Sequence, residues 1–422
     1  MNRLENRLAD AFRAAADTIT PDSVPGLRER SRRRSWPRLA APLAAAAAVI
    51  VATVIVPVIL NANAGRKTTQ APPAPTLWVA SQDTVTPVST ATYLAGTPIH
   101  TGCTPFEIVV APAGKTAYVA CRTGYQSEIV PINTFTNSAE RPIAINADLS
   151  FDHLYEGFQD IVITPDGKTA YVLDDAYSNG ISIVTPVNLA TGRAGKTIDL
   201  ANVGTIEPAT MAMTPDGKTI YVLGEAGTVV AISTATNSIE KTVNVGTVGD
   251  PSIAIMPDGK TAYVDGGGSD IVTPINTATN TAGKPIDVGN AQSIVITPDG
   301  KTAYVINGYG SDSVTPINTA TNEAGKPIPV GQAPEHIAIT PNGKTVYVAG
   351  QLGNVTQINI ATNRVGNPIP VGVGVDDIIM TPTTAYVASF GDDTVTPVTI
   401  ATNTVQPAIS IANAFIAVAI TP

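Results

Sequence analysis

The chain has 422 residues, a net charge of −9 from 25 basic and 34 acidic side chains, and a composition that is 44% hydrophobic and 14% charged. The acidic balance excludes a nucleic-acid binder, which carries a basic footprint, and the apolar content excludes a disordered chain. Gly (35) and Pro (34) are abundant, while two Cys and three His leave little material for metal or nucleophile chemistry, so turns and short strands are the expected elements.

The charge is divided along the chain. Residues 1–75 hold 11 Lys and Arg against 5 Asp and Glu, a net of +6, whereas residues 76–422 are net −15. Such a split points to two compartments. Leu4, Leu8, Ala11, Phe12 and Ala15 fall at helical spacing and predict a short amphipathic helix over 2–18, within a basic cytoplasmic segment 1–38. Residues 39–60 (LAAPLAAAAAVIVATVIVPVIL) carry no charge. At a rise of ~1.5 Å per residue they span about 33 Å as a helix, enough for a bilayer core. Arg28, Arg30, Arg32, Arg33, Arg34 and Arg38 precede the run, and only Arg66 and Lys67 follow closely. The positive-inside rule then expects a single-pass signal-anchor with a cytoplasmic N-terminus and everything beyond residue 60 outside the cytoplasm. The alternative is a signal peptide cleaved after Ala64, although leader and apolar run are both long for one. Residues 61–75 read as a Pro-rich linker.

A repeat governs residues 76–422. ITPDGKTAYV stands at 163–172 and 296–305, with variants at 213–222, 256–264 and 339–348 and diverged copies at 111–119 and 381–387. The Tyr of each Tyr-Val lies at 118, 171, 221, 263, 304, 347 and 386, and Trp78 takes the same slot one period earlier. Each period reads as four strands: an apolar run, a PDGK hairpin, a Tyr-Val strand, a Thr-Pro strand and an outer strand such as Ala324–Gly331. Four strands in roughly 40–45 residues is the period of a propeller blade. Residues 76–99 supply a second, third and fourth strand without a first, and the C-terminal AFIAVAITP supplies a first without a partner. The two ends are expected to complete one blade, giving eight blades, or seven if one diverged copy packs differently. Pro87, Pro186, Pro274, Pro316 and Pro397 fall in third strands, where a bulge is expected, and Pro285 and Pro327 in the outer strand.

The PDGKTAYV hairpin and the TPINTATN…GKPI segment resemble the YVTN-type repeat propellers over residues 76–422. The resemblance implies an all-β, rigid extracytoplasmic scaffold of the surface-layer-like and periplasmic kind, commonly seven-bladed. It also implies that second-to-third and blade-to-blade loops share one face. That face would collect acids, among them Asp160, Asp174, Asp175, Asp376, Asp377, Asp392 and Asp393, with hairpin lysines on the other. Such a face attracts cations, basic peptides or Ca²⁺. The blade-to-blade segment 146–160 brings Phe151, His153, Tyr155 and Phe158, residue types suited to recognition. Cys103 and Cys121 flank one hairpin and are expected to form a disulfide. No phosphate loop, zinc motif or nucleophile elbow is present, and His100, His153 and His336 are read as unrelated surface residues rather than one metal site.

The leading expectation is a membrane-anchored, monomeric extracytoplasmic propeller, not an enzyme and without a cofactor called for by any motif. It would bind a protein or cell-envelope component through its acidic loop face. The alternatives are a metal-assisted lyase or lactonase with its site at the channel mouth, and a purely structural surface protein.

Overall fold

The computed structural model describes residues 75–421, leaving aside 125, 146–157, 177–180, 204–207, 225–226, 247–248, 250, 309, 390 and 412–414. The amphipathic segment, the apolar span and most of the linker lie outside the described residues. Among the described residues no helix is long and apolar enough to cross a membrane.

The described chain is all-β and antiparallel, in seven hydrogen-bonded sheets. Numbered from the first complete copy, the repeats begin with first strands Thr104–Val110, Phe158–Ile163, Pro208–Met213, Ile253–Ile255, Ile286–Ile296, Pro334–Ile339, Val375–Met380 and Phe415–Ile420. The long strand Ile286–Ile296 is both the end of repeat 4's outer edge and the first strand of repeat 5, so these two copies share one nine-stranded sheet. The first strand of repeat 8, Phe415–Ile420, pairs with Thr76–Ser81, which pairs in turn with Thr84–Ser89. The chain ends are thus in one sheet, as expected, and Thr421 N donates to Thr76 O at 3.0 Å to extend the seam. First strands touch in cyclic order, from repeat 1 round to repeat 8 and back, so they line the axis of a ring. This arrangement is consistent with the expected propeller.

The Tyr-Val strand explains how one sheet grips the next. Side chains alternate across a strand. In repeat 1 (Thr116–Thr123), Ala117 and Val119 enter the apolar cluster shared with repeat 8, while Tyr118 and Ala120 enter the one shared with repeat 2. The same division recurs around the ring, which gives eight clusters, each drawn from two consecutive repeats. Burying each such aromatic contributes about 1.5–3 kcal/mol. The phenol oxygen then reaches the following repeat. Tyr171, Tyr221, Tyr263, Tyr304 and Tyr347 donate to Asn237, Asn280, Asn322, Asn363 and Asn403 at 2.7, 2.6, 2.6, 3.0 and 3.4 Å. All five Asn have positive φ, between 49° and 57°. Asn tolerates this left-handed conformation, and its amide is turned toward the incoming hydroxyl. The last Asn of TPINTATN is therefore both a turn residue and a rivet.

The hairpin follows from local chemistry. Thr164 Oγ1 and Lys168 N both donate to Asp166 Oδ1, at 2.7 and 3.1 Å, and Gly167 takes φ +69°. Thr hydroxyl donation, then the lysine, holds the Asp166 carboxyl down at about 2. Asn342 accepts the same pair of bonds, from Thr340 and Lys344, so this departure from Asp preserves the turn. Ala113 has no side-chain oxygen with which to accept them.

The bulge expected in the third strands is not there. Pro186, Pro274, Pro316 and Pro397 each sit opposite Tyr, and Pro87 opposite Trp78, in unbroken register, as does Pro131 opposite Tyr118. Relief comes from the outer strand, which splits into two short pieces around the proline; Pro285 and Pro327 fall in these gaps. Only repeat 3 keeps an unbroken outer strand, Ser238–Asn244, and only there are both positions free of proline, with Ala231 and Thr242 in the two places. The glycine of the gap is needed for space: a Cβ on Gly325 would lie 3.0 Å from the Pro316 ring and 3.2 Å from its carbonyl.

The rivet is directly testable. Tyr221→Phe should cost about 1–2 kcal/mol in denaturant unfolding, because Asn280 loses a buried donor. Tyr118→Phe should cost clearly less, since Gly192 stands where the following repeat would present its Asn.

Candidate functional site

The bulge that recurs from repeat to repeat is in the first strands; the outer ladders of repeats 3 and 4 carry isolated shifts at Ala231/Ile232 and Ser269/Ile271. Register shifts fall just before Glu107, Asp160, Thr210, Ser293, His336 and Asp377. A bulge re-aims the side chain that follows it. Ser252 of repeat 4 and Ala417 of repeat 8 hold the equivalent places by their pairing opposite Asp265 and Ala80. One residue from each repeat therefore forms a column of eight around the axis: Glu107, Asp160, Thr210, Ser252, Ser293, His336, Asp377 and Ala417.

The column answers a physical need. An innermost strand presents an unpaired backbone edge to the channel. Asp160 Oδ1 accepts from its neighbour Ile161 N at 2.7 Å, and Oδ2 accepts from Met211 N and Thr210 Oγ1 of the next repeat at 2.6 and 2.8 Å. Ser252 Oγ accepts from Ile294 N, again of the next repeat, at 3.2 Å. Glu107 and Asp377 each accept the amide that follows them, Ile108 N at 3.0 Å and Ile378 N at 2.6 Å.

The charges are concentrated in one sector. Repeats 7, 1 and 2 bring Asp377, Glu107 and Asp160, with Ala417 of repeat 8 between the first two and His336 of repeat 6 beside Asp377. Burial pushes the Glu107 carboxyl up to about 7; the Ile108 amide opposes this, and the charges of Asp160 and Asp377 add to it. Burial likewise raises Asp160 and Asp377, against the amide bonds each accepts and, for Asp377, against His336. Burial lowers His336, partly offset by Asp377 and Asp376. Carboxyls whose pKa values burial raises, beside an imidazole whose pKa burial lowers, can exchange protons for a bound cation or relay a proton.

The structure distributes the sequence candidates differently. Phe151, His153 and Tyr155 lie outside the described residues, and Phe158 opens the first strand of repeat 2, paired with Asp174. Asp174 is buried and accepts from Ser127 Oγ at 2.7 Å. Asp175 pairs with Ser182 in the adjoining strand. Asp376 is exposed beside the column and Asp377 is in it. Asp392 is a loop tie, accepting from Val373 N at 2.9 Å; Asp270 and Asp312 hold Asn290 N and Ala333 N in the same way, both at 3.0 Å. Asp393 occupies a positive-φ turn position. His100 lies in the outermost strand of repeat 8, 3.6 Å from Asp83, and His336 in an innermost strand, so these two do not converge.

The disc is also less polarised than its loops suggest. Lys168, Lys218, Lys260 and Lys301 each pair with the Asp of their own hairpin at 3.0–3.4 Å, which offsets that face locally. The Cys103–Cys121 disulfide is formed, with a 2.05 Å S–S bond. Glu107 is the residue that sequence reasoning missed. Stacking the first strands (FEIVV, QDIVI, ATMAM, EHIAI, DDIIM) shows a polar column inside apolar runs, a signal that was legible.

Glu107 yields a pH test. Its ordinary pKa is 4.5, and the folded value is about 7. Below pH 4.5 both states are protonated; between 4.5 and 7 the folded state binds more protons, so this group's contribution falls as pH rises. Glu107→Gln removes that loss. The variant should match the wild type near pH 4 and gain about 2 kcal/mol over it by pH 8 in chemical denaturation, after allowance for partial solvent exposure. The opposite pH trend of His336 is common to both proteins and cancels.

No protein-family model matches the chain, and no curated protein matches it. Among solved structures the chain is similar to Kuenenia stuttgartiensis hydrazine synthase, with a TM-score of 0.50 and 21% identity over 73% of this chain and 96% of that one. At this identity the likeness concerns the fold alone.

Proposed function

We propose that the chain is an eight-bladed propeller of the YVTN-repeat kind, anchored through residues 39–60 and held outside the cytoplasm. Its role is to bind a protein or cell-envelope partner that presents a cationic group to the channel mouth. The supporting observation is the inequality of the column. In repeat 4 a hydroxyl meets the neighbouring edge, Ser252 Oγ accepting from Ile294 N while it donates to the buried Asp265. Three carboxyls with raised pKa values, all within repeats 7, 1 and 2, exceed that structural need. Like-charged buried carboxyls are unfavourable unless a cation enters among them.

Titration calorimetry of the full chain in detergent with a short oligo-arginine peptide tests this reading. Saturable binding is expected, weakened by salt and at least tenfold by Glu107→Gln with Asp377→Asn. Asp160 is left intact because it also ties Met211. No saturable binding, or binding indifferent to these changes, would contradict the proposal.

One observation favours a second reading, a metal-assisted enzyme: His336 lies in electrostatic contact with Asp377. A rise of several degrees in the unfolding midpoint with Zn²⁺ or Ca²⁺, abolished by chelator, supports it. Silence in both tests leaves the structural surface protein.

A further inference from the structure

Exposed apolar side chains are placed unevenly on the ring. Among the described residues the large ones are Leu94, Phe135, Leu352, Val365, Val373 and Val405. Leu94, Phe135, Val365 and Val405 lie in the turn after a third strand or in the outer piece that follows it. That turn packs on the hairpin, as Ile360 N shows by donating to Lys344 O at 3.0 Å, so these four belong to the hairpin side. Leu352 and Val373 are on the opposite, loop side. Leu352 joins the second and third strands of repeat 6, Thr345–Gly350 and Asn354–Asn359, and Val373 leads from repeat 6 to repeat 7. Their segments are tied, since Val371 N donates to Gly353 O at 2.9 Å.

Leu352 also walls a cleft of about 180 Å³ between repeats 5 and 6, with Val330, Gln332, Pro334, Val348 and Pro368. The walls are fixed. Thr356 Oγ1 donates to Val330 O at 2.7 Å, and Asp312 accepts from Ala333 N at 3.0 Å. Gly350 lies beneath the connection, where a Cβ would come within 2.9 Å of Gln332 O. A preformed apolar cavity of roughly 150 Å³ holds a benzene ring, so one aromatic side chain matches the space. The rim is acidic. Pro334 is followed directly by Glu335 and His336, and Glu335 lies close enough to Asp376 of repeat 7 for the two charges to repel. Asp377, in the column, is the next residue.

We propose that the partner is recognised as an aromatic–arginine pair: the ring enters the cleft between repeats 5 and 6, and the adjacent guanidinium sits among Glu335, Asp376 and Asp377. The inference rests on the reading of the column as a cation site and adds the apolar half of the ligand. Arginine suits this place because its planar cation stays charged beside buried carboxyls. Aromatic and arginine side chains are also the ones that dominate binding energy where a pocket excludes water.

Titration calorimetry of the full chain in detergent compares two probes, hexa-arginine and hexa-arginine carrying one added tryptophan, each corrected for its heat with detergent alone. The tryptophan peptide should bind at least about tenfold more tightly. Leu352→Ser should bring the two peptides to within about threefold of each other, while Leu94→Ser, on the hairpin side, should leave the gap unchanged. Both side chains are exposed, so both variants keep the fold. Glu335→Gln with Asp376→Asn should weaken both peptides alike. Equal affinity for the two probes, or a tryptophan advantage that survives Leu352→Ser, would overturn the pairing and leave the cation reading standing. Binding of neither probe would overturn both.

Discussion

A ring of separate sheets must join faces that share no backbone hydrogen bonds. Here the joint is one aromatic side chain per repeat, buried against the next sheet, and at five of the eight junctions its hydroxyl is bonded to an Asn in a left-handed turn. The rest of the repeat serves that joint. The hairpin of Thr, Asp, Gly and Lys sets where the Tyr-Val strand begins. The Asx turn after the third strand sets where the Asn points, as when Asn276 Oδ1 accepts from Thr279 N. The gapped outer strand leaves room for the proline that stands opposite Tyr in most repeats. Packing supplies most of the attraction, and the hydrogen bond supplies register.

Much of this was legible in the residues. The period, the four-strand unit and the shared closing sheet follow from where Tyr-Val recurs and from which strands are missing at each end. What misled was proline. A third-strand Pro in isolation calls for a bulge, but its missing N–H faces the outer strand, and that strand gives way instead. Repeat 3, with Ala231 and Thr242, shows the outer strand intact once both prolines are gone. The bulge that recurs lies two strands further in, in the first strand.

The candidate site was less legible because loops draw the eye to charge. Asp270, Asp312 and Asp392 stand in acidic loops, yet each holds a backbone amide of the neighbouring connection. Glu107 sits inside an apolar run and reads as part of a buried strand. Its significance comes from the axis, where first strands meet and one residue per repeat faces the same enclosed space. The pairing register confirms what aligned first strands suggest, that Glu107, Asp160, His336 and Asp377 are equivalent. The residues that broke the repeat, Trp78, Tyr93 and Gly192, gather in the sector that also bears the three carboxyls.

The charged column is the center of the functional reading, and its protonation can be observed directly. Selective carbon labelling of glutamate carboxyls in the full chain, with Glu107→Gln to assign the signal, would follow Glu107 through pH by NMR. A midpoint near 7 that falls when Asp377 is replaced by Asn is the result expected from an enclosed, like-charged column. A midpoint near the ordinary 4.5, unmoved by that replacement, would mean that Glu107 is solvated and apart from Asp377, and the column would not be a site.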